Sequence, residues 1–341
     1  MTQPCVAGCG VVSPAGWGLA AFREALERAE PLPAKELIRP GTERPMLVRS
    51  VPAPSPRPAF FSHPRLRRTS PIAQYAVAAA LEALGPDAAA VSSGQKSLGI
   101  IVCVMSACVI YSRRFYDETL KDPATASPLV FPETVFNAPA SHLAALLGST
   151  GINYTMVGDP AVFLQGLALA ADWLLSGRVE GCLVVGAEEA DWITSEAFNL
   201  FDRDVIMSEG SGAVYLRAES QSANQVQLTK VTDPQPYTRQ VSRRQAVERV
   251  RKQITNGNTQ DLLCDSLHGV GAVDRAEEIV WNDWRGPRLS PRRIFGEGLM
   301  AGAAWQCVAV IDALMQGKCR KAVANVVGCN QEAIAAEFAL A

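Results

Sequence analysis

The sequence predicts an α/β fold in which buried strands alternate with helices, and three stretches carry that expectation. Residues 153–190, NYTMVGDPAVFLQGLALAADWLLSGRVEGCLVVGAEEA, read as a short strand, a sharp turn, a buried helix and a second apolar strand. Asp159 is placed to cap that helix, Pro160 sits in its first turn, and Gly177 stops it. CLVVGA and the earlier SLGIIVCVMSA are continuous apolar runs of the kind that suits strands covered on both faces. The opening PCVAGCGVV reads as a further buried strand, with Ser13-Pro14 as cap and helix start.

The remaining elements follow in order. GLAAFREALERA supplies the first helix, and Gly8, Gly10 and Gly16 before it are read as packing glycines, with phosphate binding as the alternative. Residues 31–70 change character. Proline recurs, and Lys35, Arg39, Arg44, Arg49, Arg57, Arg65, Arg67 and Arg68 face only Glu36 and Glu43. Two readings stand: a solvated surface loop, or a basic docking patch for an acidic carrier protein or partner subunit. RTSPIAQYAVAAALEALG is a helix ending at Gly85, and residues 112–140 are an insertion. His142 lies on the helix that follows, with no partner at helical spacing, and is read as structural. Residues 218–245 contain a polar link and a strand.

Composition bounds the rest. The chain has 341 residues, 48% hydrophobic and 19% charged, as in ordinary globular proteins. A net charge of −2 gives no global reason to expect nucleic acid. There is no signal-like start, and no apolar run approaches the roughly 20 residues that span a bilayer, so a cytoplasmic protein without a membrane partner is expected. The nine cysteines fall mostly inside apolar runs and are read as reduced and buried. Cys5/Cys9 and Cys103/Cys108 lack paired CxxC spacing and nearby histidines, so no zinc site is expected, and no cofactor.

Residues 153–190 resemble the nucleophile segment of the β-ketoacyl synthases, members of the thiolase-like superfamily. Tyr154, Thr155, Gly177 and Gly186-Ala187-Glu188 match that segment. The first strand and helix, the helix after Arg68, Asn137, His142 and Gly148, and Phe201-Asp202-Arg203-Asp204 with Glu209-Gly210-Ser211-Gly212-Ala213 are similar to further family motifs. The resemblance implies a five-layered αβαβα fold built from two similar halves. These would be 1–217, carrying the Pro/Arg-rich loop 31–70, and a shortened 218–341.

The same resemblance locates the family's chemistry and shows it altered. The nucleophilic cysteine falls on Pro160, and no cysteine occurs between Cys108 and Cys182. DSLHGVGAVDRAEE keeps the first histidine as His268, with Gly269 and Gly271, while the pantetheine-binding threonines fall on Val270 and Ala272. In SPRRIFGEGLMAGAAWQ, Gly296 matches, the second histidine falls on Glu297 and the lysine on Arg292. A carboxylate there is expected to repel a malonyl carboxylate. In the gating loop NVVGCNQEA, Gly328 is kept, Cys329 falls on the phenylalanine, and Asn330-Gln331 replace a glycine pair.

With nucleophile, second histidine, threonines and gate all changed, the resemblance implies a non-catalytic, chain-length-factor-like partner of an active ketosynthase in polyketide or fatty-acid type biosynthesis. It implies a heterodimer formed through Asn153, Tyr154, Thr155, Met156 and Val157, with an acyl carrier protein as a further partner. Two alternatives stand beside it. One is an enzyme with altered acyl-transfer or hydrolysis chemistry, using Cys329 activated by His268. The other is a homodimeric scaffold that binds a carrier protein.

Overall fold

The computed structural model describes residues 3–218, 225–238, 241–255, 257–329 and 331–341. Two runs of strands, hydrogen-bonded to each other at one junction, form the two sheet layers of the fold. The first is β1 (Cys5–Ser13), β2 (Leu98–Val104), β3 (Asn153–Val157), β4 (Gly181–Glu188) and β5 (Gly210–Arg217). The second is β6 (Val226–Val231), β7 (Leu262–Cys264), β8 (Arg288–Leu289), β9 (Lys321–Val327) and β10 (Glu332–Leu340). Their spatial order is β8-β7-β9-β10-β6-β1-β5-β4-β2-β3. Read outward from the antiparallel β1–β6 junction, each run has the same connectivity: first strand, fifth, fourth, second, third. These are the two similar halves. The join between them falls between Arg217 and Val226, and residues 219–224 within it lie outside the described residues.

The helices that matter below are α1 (Leu19–Arg28), α2 (Pro71–Leu84), α3 (Val109–Lys121), α4 (Ala138–Leu147), α5 (Val162–Leu175), α6 (Trp192–Asn199), α7 (Arg243–Gln253), α8 (Gly271–Val280), α9 (Pro291–Phe295) and α10 (Met300–Met315). Strand alternation sorts them into layers, because successive side chains point to opposite faces. Ile100, Val102 and Val104 of β2 join Leu183, Val185 and Ala187 of β4 in a cluster with α2 and α4. Ile101, Cys103, Cys182 and Val184 point the other way, into a central cluster with α5 and α10. The second half covers that cluster from its far side with Ala322, Ala324, Val326, Ile334, Ala336 and Phe338. Its alternate residues Val323, Val327, Ala333 and Ala335 face outward to α7, Trp281 and Trp284. Helix, sheet, helix, sheet, helix is the expected five-layer packing. Every residue from Met300 to Leu314 is buried, as a helix sandwiched between two sheets requires.

Gly8 and Gly10 are packing glycines. A Cβ at either would stand 2.2 Å from a carbonyl oxygen of α2, Ala83 or Ala79. Gly177 takes a positive φ of 68° just after α5 and ends it, as expected.

Four local expectations need correction. Ser13 ends β1 rather than starting a helix. Its Oγ accepts from the Ala15 N–H at 3.2 Å, Gly16–Trp17 folds back against Val12 and Ser13, and α1 begins only at Leu19. Residues 31–70 are more than a loop, since Lys35–Ile38 and Pro45–Arg49 form a hairpin that Met207–Ser208 extends into a separate three-stranded sheet. His142 does have a partner, Glu133 at 2.9 Å, supplied by the 3-10 turn Phe131–Glu133 inside the insertion. Asp159 does not cap α5, whose N-cap is Ala161. No helix among the described residues is long and apolar enough to cross a membrane.

Candidate functional site

The site forms where the N-terminal ends of the two central helices meet. Pro160 lies buried at the corner between β3 and α5, and it brings neither a thiol nor an N–H. Beside it, the Asp159 side chain, only 2% exposed, reaches across to the second half. It accepts the backbone N–H of Cys329 at 3.0 Å and of Gln331 at 2.7 Å. Gly328 makes that approach possible, because a Cβ there would overlap the carboxylate, 1.8 Å from Oδ1. The loop is held from its other side by Tyr237 and Arg243, whose Oη and Nη2 donate to the Gly328 carbonyl at 2.7 and 3.2 Å. Asn330 lies outside the described residues.

The second half contributes a charged cluster. His268 follows β7, and its Nε2 lies 2.8 Å from Glu297 Oε2 while its Nδ1 lies 3.4 Å from Asp274 Oδ1. Arg292, wholly buried on α9, donates from Nη1 to the same Glu297 oxygen at 2.9 Å and to the Val327 carbonyl at 3.1 Å. The Leu299 N–H fills the other Glu297 oxygen at 2.6 Å. Asp274 caps the loop, accepting from the backbone of His268, Gly269 and Val270 at 2.9, 2.7 and 3.0 Å.

Burial opposes charge on all three groups, but the partners win. For Glu297, desolvation is outweighed by the Arg292 charge, then by the His268 bond and charge and the Leu299 amide, and its pKa is pulled down to about 2. For His268, desolvation is outweighed by the bonds to Asp274 and Glu297 and by the Glu297 charge, so its pKa is raised. For Asp274, desolvation is outweighed by the bonds to the His268 side chain and backbone, and its pKa is lowered. The cluster is therefore a carboxylate–imidazole–carboxylate chain with a guanidinium at its end, and its carboxylates favour the charged form of the imidazole. Glu297 is already bonded to His268 and Arg292 within the protein, so the carboxylate expected to repel a malonyl group has partners of its own.

A cavity of about 260 Å³ opens onto this cluster, lined by Phe198, Phe201, Arg243, His268, Glu297 and Cys329. A second, of about 230 Å³, lies beside it, walled by Met105, Thr194, Leu299 and the shared Phe198, Phe201 and Cys329. Met105 and Ser106 are fixed by Glu188, which burial raises to about 7 and which accepts from both their backbones. Cys329 and His268 thus line one cavity. The thiol, however, is pushed up by burial and by Asp159 and Glu297, and its contact is Met105 Sδ at 3.8 Å. Both nitrogens of His268 face carboxylates, leaving no basic lone pair for a thiol. Val270 and Ala272 put no hydroxyl here, and Ala272 adds an apolar wall. No group of three or more His, Cys, Asp and Glu among the described residues is placed to hold a metal ion.

Of the residues singled out in the sequence, His268, Glu297 and Cys329 line one cavity and Arg292 is bonded to Glu297, while Pro160 adjoins Asp159, which holds the Cys329 amide. Sequence reasoning missed Asp274 and Arg243. Asp274 had a readable signal, an acid in the first turn of a helix after a glycine-rich loop.

The β-ketoacyl synthase N-terminal domain model matches residues 5–222, and the chain belongs to that family. No curated protein sequence matches it. Among solved structures, the ishigamide ketosynthase/chain length factor is 18% identical, with a TM-score of 0.80 over 99% of both chains. The ketosynthase ApeO in complex with its chain length factor ApeC, from Xenorhabdus doucetiae, is 14% identical, with a TM-score of 0.77 over 100% of this chain and 98% of that one. A type II acyl-carrier protein in complex with its ketosynthase bound to the hexaketide gives 16% identity and a TM-score of 0.76 over 99% of both chains. At these identities the likeness establishes the thiolase-like fold.

Proposed function

We propose that this chain is a non-condensing subunit that pairs with an active ketosynthase and helps shape the space in which its growing chain lies, in the manner of a chain-length factor. The observation that carries the reading is the buried corner at Pro160, the position the motif resemblance gives to the family's nucleophile, where an imino acid stands beside a carboxylate already bonded to the Cys329 and Gln331 amides. Supporting it, Glu297, which the resemblance sets at the second-histidine position, bonds both His268 and Arg292. Acyl transfer by condensation needs a thiolate and a histidine free to exchange protons, and this corner offers neither.

The edge strand supports the partner. Strand β3 pairs with β2 on one side and closes that end of the sheet. Tyr154 and Val157 are 54% and 53% exposed on it, and an open edge with exposed apolar side chains is what a pairing interface presents. We take 1–217 and 218–341 as the halves, the first carrying this interface. For an acyl carrier protein, the support is a groove of about 620 Å³ beside the basic hairpin, lined by Arg39, Arg44, Leu47, Leu200 and Arg203 among others.

Native mass spectrometry of the chain co-expressed with the ketosynthase encoded nearest to it tests the reading. A one-to-one complex is expected, lost on Tyr154→Lys with Val157→Lys, and its formation should change product chain length. A homodimer indifferent to that ketosynthase would sink it and favour the scaffold reading, since an open edge suits a second copy equally. Loss of acyl-transfer activity in Cys329→Ser would instead establish the enzymatic alternative.

A further inference from the structure

The charged cluster has the form of a ligand site with the ligand built in. Two cationic donors converge on Glu297 Oε2, at 2.8 Å from His268 Nε2 and 2.9 Å from Arg292 Nη1, and a backbone amide meets Oε1 at 2.6 Å. That is how proteins hold a free carboxylate: charge-assisted donors on one oxygen, a fixed dipole on the other. The Arg292 guanidinium also has spare capacity. Its Nε and Nη2 are buried without a hydrogen-bond partner among the described residues, because Glu297 is tethered to the same short segment and meets only Nη1. Glu297 is fully buried and forms part of the wall of the 260 Å³ cavity, so shortening its side chain joins the space it fills to that cavity.

We propose that His268 and Arg292 form a receptor for small carboxylates and that the Glu297 side chain is its resident occupant. The native protein is then closed to free carboxylates at this point, whatever partner it pairs with. Shortening the side chain reopens the receptor. Glu297→Ala removes Cγ, Cδ and both oxygens, and acetate carries the same set of heavy atoms without the tether. Free acetate can also turn toward the unused N–H groups of Arg292. The inference stands on these contacts and does not depend on the chain-length-factor reading.

The test is chemical rescue of E297A, followed by thermal unfolding at neutral pH in sodium acetate against sodium chloride of equal ionic strength. A ligand that binds the folded state alone raises Tm with the logarithm of its concentration above Kd. E297A is expected to show an acetate-specific rise of several degrees that grows with the logarithm of concentration over the millimolar range. The unaltered protein and E297Q, whose amide still fills the space, should show none. The double variant E297A/R292M should lose the response. Equal Tm values for E297A in acetate and chloride would overturn the proposal, as would an undiminished response in E297A/R292M. Should E297A be recovered only as aggregate, soluble yield on refolding replaces Tm as the readout. A higher yield in acetate supports the receptor, and equal yields overturn it.

Discussion

Asp159 and Glu297 occupy corresponding corners of the two halves, each two residues before the N-cap of a central helix, Ala161 of α5 and Leu299 of α10. They are held in different ways. Asp159 crosses to the other half and takes the backbone amides of Cys329 and Gln331. Glu297 stays in its own half and takes an imidazole and a guanidinium. A carboxylate bonded to main-chain amides of the other half acts as a clasp between halves. One bonded to buried side-chain cations depends on every charge being present, and removing any of them leaves the others uncompensated.

That contrast predicts a ranking of effects. Arg292→Met leaves Glu297 and His268 buried without the guanidinium and should lower unfolding free energy by about 3–5 kcal/mol in a denaturant titration. A loss under about 1 kcal/mol would show that the cluster does not depend on its charges. The same variant carries a pH signature. The Glu297 pKa is depressed to about 2, so its stabilisation is present above the ordinary carboxylate pKa and lost as pH falls through the depressed value. The gap between R292M and the unaltered protein should therefore narrow from about pH 4.5 toward about pH 2. A constant gap would break the assignment. His268 has the opposite sign: its raised pKa adds stability that is full below about pH 6.5 and fades as pH rises through the folded value.

The clasp should be weaker. Asp159→Ala strands two amides and should cost about 1–3 kcal/mol, with faster hydrogen exchange at Cys329 and Gln331. R292M should leave those two amides protected, and exchange that speeds equally in both variants would merge the two corners into one unit. Tyr237→Phe removes a single bond to the Gly328 carbonyl and should cost about 1 kcal/mol, read as a small drop in Tm.

How much of this could be read from the sequence divides along the range of the interactions. Runs such as CLVVGA and IIVCVM announced strands buried on both faces, because apolar continuity is a local property. Gly85 and Gly177 announced helix ends for the same reason. Asp159 was read as a cap because caps are local, whereas its partners lie 170 and 172 residues away. Glu297 was singled out by motif but judged alone. Its role turns on Arg292 pointing inward from α9, an orientation that spacing does not encode. The hairpin in 31–70 hid among prolines, and its completion by Met207–Ser208 is again long-range.

The burial of α10 between two sheets bears on synthesis. Residues 300–315 leave the ribosome after the whole first half, and until they do, α10 cannot cover the inner face of that half, including β4 and β5, against which it packs. Between the emergence of β5 and that of α10 the nascent chain therefore carries part of an apolar sheet face uncovered, the kind of surface that chaperones bind and that aggregates when synthesis stalls. A chain truncated before Met300 would keep that face open permanently.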